Sequence, residues 1–61
     1  MQDDYKIGKV IRKWRLMQDL DLRSVGKEIG ISAATLLRVE IGHDPSGVTL
    51  TKILTWLFRK E

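Results

Sequence analysis

A chain of 61 residues allows one domain, which buries only about 60% of the surface its unfolded form exposes. Eleven lysines and arginines against eight aspartates and glutamates leave a net charge of +3, an excess that favours a polyanionic partner. Without cysteine there is no disulfide or thiolate metal site, and one histidine, His43, assembles no zinc cluster, so neither a metal nor a cofactor is expected.

No apolar run approaches the roughly 18 residues that span a bilayer, and the start MQDDYKIGKV opens on two aspartates where a signal peptide is basic. A cytoplasmic protein is expected. Paired carboxylates in a plausible cleft, a cysteine nucleophile and a phosphate-cradling glycine loop are all missing, so an enzyme is not expected.

In chain order, residues 5–18 read YKIGKVIRKWRLMQ. At about 100° per residue, Ile7, Val10, Ile11, Trp14 and Met17 fall in a narrow arc, with Lys6, Lys9, Arg12 and Lys13 outside it. The pattern predicts an amphipathic first helix capped by Asp3 or Asp4. Gly8 inside it costs about 1 kcal/mol relative to alanine. The lysine and arginine group reads as a solvated face rather than a binding footprint.

In DLRSVGKEIG, Asp21 caps a second helix of about two turns, Val25 and Ile29 share a face, and Gly30 supplies the residue that takes positive φ. Ser32 caps a third helix, AATLLRVE, with Leu36 and Val39 on one side and Gly42 ending it. IGHDPSGV is a loop, and His43 reads as a loop residue. Ser46 caps the last helix, GVTLTKILTWLFRK, with Leu50, Ile53, Leu54 and Leu57 in one stripe. With no strand alternation, repeat or linker, the expected fold is all-α, one compact bundle of four short helices spanning residues 1–61.

A short two-helix unit with a glycine turn and a serine-capped second helix is the arrangement of the DNA-binding helix-turn-helix, whose second helix enters the major groove. The sequence resembles, in addition, the phage repressor and Cro type of helix-turn-helix regulators, the XRE-like family. The resemblance runs without a gap through Arg15, Gly26, GIS at 30–32, RVE at 38–40, Gly42, PS at 45 and 46, then Leu50, Ile53 and Leu57. It implies a lambda-repressor-like bundle of four or five helices and a DNA-binding transcriptional regulator, repressor-like or Cro-like, from a phage or prophage and active at the nucleoid.

Residue by residue, the resemblance implies that Ala33, Ala34 and Arg38 read bases. It places Ser32, Thr35 and the start of helix two, with Arg23, on phosphates, and the start of helix four at Ser46 and Gly47 adds free amides. Arg15 and Glu40 correspond to an ion pair joining helix one to the end of the recognition helix, with Arg15 also in reach of a phosphate. Gly26 is expected where two crossing helices approach, and Gly30 at the sharp turn.

The sequence departs from the family pattern at its base-reading positions and at two positions that are usually polar. Alanine at two base-reading positions makes no hydrogen bond to a base edge, although its methyl packs against the thymine C5-methyl. Arg38 alone can contact guanine, while Leu22 and Ile41 stand where polar residues are usual. The apolar stripe of Ala34, Leu37 and Ile41 raises an alternative: a protein-interaction module of the same fold, antirepressor-like or antitoxin-like, without base readout. Trp14 is expected in the core, whereas Trp56 falls off the stripe of helix four and Phe58 lies at its edge. Those two aromatics are the expected surface of a homodimer, the form in which the family usually binds DNA.

Overall fold

The computed structural model describes residues 6–59. Four helices appear among them: α1 (Ile7–Met17), α2 (Leu22–Ile29), α3 (Ala33–Glu40) and α4 (Gly47–Phe58). Asp3 and Asp4, the expected caps of α1, lie outside the described residues. The residue preceding α1 is Lys6, in extended conformation and without a side-chain cap, so the helix is shorter than the 5–18 pattern at both ends.

The other caps follow local chemistry. Asp21 Oδ1 accepts the Ser24 amide at 2.8 Å and starts α2. That hydrogen bond holds the Asp21 carboxyl below its usual range. Its stabilising contribution is therefore present above the ordinary carboxylate value and is lost as pH falls through the depressed one. Gly30 closes α2 with φ 99°, and the amides of Gly30 and Ile31 both reach the Gly26 carbonyl, at 2.7 and 2.9 Å.

All four helices contribute to one core, formed by Ile11, Val25, Ile29, Leu36, Val39, Ile53 and Trp56, with Ile7, Leu20, Leu22 and Ile31 packed against it. α3 rests on α1 and α2, and α4 closes over α2. α2 and α3 thus form a helix-turn-helix carried on a two-helix scaffold.

Two glycines permit these approaches. A Cβ on Gly26 would meet the Ile31 carbonyl oxygen at 2.8 Å, so a small residue there lets the α2–α3 turn fold back on itself. Gly8 is tighter still: a Cβ would fall on the Val39 carbonyl oxygen and lie 2.7 Å from its carbon. Read alone, Gly8 is a weak point in a helix; in the fold it is the place where α1 rests on the backbone of α3.

That contact also turns α1 away from the rotation its apolar arc suggests. The inward face carries Ile7, Gly8, Ile11 and Arg15, which leaves Val10 and Met17 exposed. Trp14, expected in the core, is 37% exposed. In α4 the correction runs the other way. Trp56, expected outside, is only 8% exposed, whereas Leu54 and Leu57 of the expected stripe are open to solvent.

The two indoles pack edge to face across α1 and α4, with ring centroids 5.2 Å apart and planes at 80°, a contact that helps to enclose Trp56. Trp56 further donates its indole N–H to Glu28 Oε1 at 3.1 Å, which satisfies its polar atom from α2. Gly8→Ala should therefore destabilise the protein by roughly 1–3 kcal/mol through overpacking, against the gain expected from helix propensity. A thermal or urea melt of the variant that shows equal or higher stability would sink this account of the α1–α3 contact.

Candidate nucleic-acid interface

α3 is fixed to α1 by a two-pronged ion pair. Arg15 Nε donates to Glu40 Oε2 at 2.8 Å and Nη2 to Oε1 at 2.9 Å, while Nη1 donates to the Leu20 carbonyl at 3.0 Å. The Glu40 side chain is buried and that of Arg15 nearly so. All three guanidinium nitrogens donate inward, so Arg15 serves the frame and the α1–α2 turn. The hydrogen bond and charge of Glu40 raise the Arg15 pKa further above its ordinary value. The Arg15 guanidinium therefore stays charged through the neutral range, and the stabilisation that comes from its raised pKa is lost as pH rises through that value.

The N-terminus of α3 carries a hydroxyl cap. Ser32 Oγ accepts the Thr35 amide at 3.1 Å and donates to Thr35 Oγ1 at 2.9 Å. α4 repeats the device: Ser46 Oγ accepts the Thr49 amide at 3.2 Å and donates to Thr49 Oγ1 at 3.2 Å. Each cap satisfies the third amide of its helix and leaves the earlier ones, at Ala33 and Ala34 and at Gly47 and Val48, without an intrahelical partner. Two helix ends thus present N–H groups and the positive ends of their dipoles, the combination that suits phosphate.

Between these ends runs an open polar groove lined by Thr35, Arg38, His43, Asp44, Ser46 and Thr49. It brings together Thr35, Arg38 and Ser46 of the residues singled out in the sequence. Arg23 sits apart, exposed at the start of α2, where it lines a second groove with Asp21, Ser24, Lys27 and Ile31. Ala33 is half-buried and Ala34 exposed, on the outward side of α3.

Sequence reasoning missed Thr49, Lys27 and Lys52. Thr49 was legible, because Ser-x-x-Thr occurs twice, at 32–35 and at 46–49. Lys52 was not: its Nζ donates to the Gly30 carbonyl at 3.2 Å, a contact made across the fold from α4 to the end of α2. No group of three or more His, Asp or Glu side chains able to hold a metal ion occurs among the described residues.

The sequence from residue 11 to residue 55 matches the helix-turn-helix family. The chain belongs to the XRE-like helix-turn-helix family. Its matched segment begins at the core residue Ile11 and runs past both capped helix ends, so the family assignment covers the frame and the outward face of α3 alike. Members of the family are DNA-binding regulators. No curated protein and no solved structure matched this helix-turn-helix chain. No helix among the described residues is long and apolar enough to cross a membrane.

The buried pair allows a direct test of the frame of this helix-turn-helix. Glu40→Ala should cost about 3–5 kcal/mol, since it leaves the Arg15 charge without its counter-charge. Arg15→Lys should fail to preserve full stability, because an ammonium cannot reproduce the two-pronged contact. Urea midpoints of both variants within experimental error of the parent would show the pair to be energetically idle.

Proposed function

We propose that the protein is a sequence-specific double-stranded DNA-binding transcriptional regulator, of Cro or minimal-repressor type from a phage or prophage, acting over residues 1–61 as one unit. α3 enters the major groove with Ala33, Ala34 and Arg38 toward base edges. Ser32, Thr35, Ser46, Gly47 and Arg23 meet phosphates on either side. The observation that carries this reading is the pair of serine-capped helix ends flanking the groove that holds Arg38. Such ends bind phosphate without reading sequence, which leaves discrimination to the outward face of α3.

A family member bound as a twofold dimer sets two recognition helices about 34 Å apart, on half-sites one turn of duplex from each other. For this chain the burial of Trp56 removes half of the surface expected from the sequence. Phe58 remains strongly exposed beside Leu54 on the outer flank of α4, and this flank is the proposed dimer contact. Phe58→Glu should then lower the mass measured by sedimentation at tens of micromolar on operator DNA. A monomeric parent under the same conditions rejects the dimer.

A second reading rests on a specific observation: Leu37 in α3 and Ile41 at its C-cap leave large apolar surface exposed. A protein-interaction module of the same fold would use that surface for a partner protein. Titration of random duplex DNA at two salt concentrations separates the two readings. Affinity that falls steeply with salt, by several logarithmic units per logarithm of concentration, supports phosphate binding. No binding at low salt rejects the DNA reading.

Selection of bound sequences from a random duplex pool then tests specificity and half-site symmetry together. On the selected site, Arg38→Ala should relax preference at one base pair, by roughly 1–3 kcal/mol of discrimination. Arg23→Ala should weaken binding evenly across sequences and reduce the salt slope by about one. Equal, sequence-independent losses in both variants would make Arg38 a phosphate contact instead.

A further inference from the structure

The outer face of α3 carries two ridges with different chemistry. Ala33, Leu37 and Ile41 follow one another at four-residue spacing along one ridge, and Ala34 and Arg38 form its neighbour. Leu37 is 44% and Ile41 64% exposed, and Arg38 beside them is exposed as well. A single leucine on a surface means little. Here two large aliphatic side chains, Leu37 in α3 and Ile41 at its C-cap, share a ridge beside Arg38.

Charge decides what such a ridge fits. Between Ser32 and Gly42 the only acidic residue is Glu40, and it is buried against Arg15. The exposed face of α3 is thus apolar and cationic, with Asp44 the one carboxylate lining the groove beside it, and it begins at a helix end whose free amides add partial positive charge. Its complement is an anionic surface that carries apolar points at its floor. The major groove has this composition: phosphates line both walls, and the C5-methyl of thymine is its apolar feature.

We infer that Leu37 and Ile41 are specificity-determining residues that pack on pyrimidine C5-methyl groups, while Arg38 contacts guanine in the same half-site. This inference rests on the DNA-binding reading above. It assigns to aliphatic contact the discrimination that Ala33 and Ala34 cannot supply by hydrogen bonding. Sites bound tightly should therefore carry thymines in register with the ridge, adjoining the guanine read by Arg38.

The test uses the full chain and the duplex recovered by selection, with each thymine replaced in turn by deoxyuridine. Uracil keeps every hydrogen-bonding group of thymine and lacks only the methyl. Affinity should fall about fourfold at each contacted position, the effect of exposing one methyl-sized group. In Leu37→Ala and Ile41→Ala, circular dichroism melts check that the fold is kept, and the thymine-to-uracil ratio at the matching positions should narrow toward one. Unchanged affinity on the uracil duplexes, with the salt slope retained, overturns the inference and leaves DNA binding standing. Failure to bind any duplex at low salt overturns the reading beneath it and returns the ridge to a protein partner.

Discussion

Everything at the outward face of α3 depends on one carboxylate that the fold takes out of water. Buried alone, Glu40 would cost more than a chain of this size can sustain; held by two guanidinium hydrogen bonds, it becomes a fixed point. Because Arg15 also donates to the Leu20 carbonyl, the same side chain ties together α1, the turn into α2 and the end of α3. The close seat of Gly8 on Val39 belongs to that arrangement, since α1 must lie near enough to α3 for the guanidinium to reach. An ion pair is weak evidence of stability in general, but its geometry fixes where α3 points.

A recognition surface needs such fixing because its contacts are few. Phosphate contacts orient a protein on the duplex, and a handful of side chains at base edges do the reading. With the frame charges of Arg15 and Glu40 satisfied internally, the exposed cations of α2 and α3 stay available to a ligand. The two hydroxyl caps add partial charge of the same sign at fixed positions. Under the proposed reading, affinity and discrimination fall to different residues, which is why variants at Arg23 and Arg38 are informative as a pair.

Local chemistry was readable from the sequence wherever it needed only neighbours. The caps at Asp21, Ser32 and Ser46 and the left-handed Gly30 each involve residues within four positions, and all four were legible. Helix rotation was less so. The arc of Ile7, Val10, Ile11, Trp14 and Met17 is amphipathic, yet only part of it is buried, because the seat of Gly8 and the reach of Arg15 turn the helix. Trp56 was misplaced for a related reason. Its burial depends on Glu28 and Trp14, far away in the sequence, and a helical wheel of α4 contains neither. Gly8 shows the same limit: its cost within a helix is local, and its necessity comes from the backbone of another one.

The edge-to-face indoles also give the molecule an intrinsic optical signal. Trp14 is partly open to solvent and Trp56 is enclosed, and the two are the only tryptophans in the chain. Neither lines the polar groove beside α3. Their emission therefore follows the seam between α1 and α4 and reports the integrity of the scaffold separately from events at the tip of α3. One cuvette can thus distinguish a variant that has lost its fold from one that has lost only its grip on a ligand.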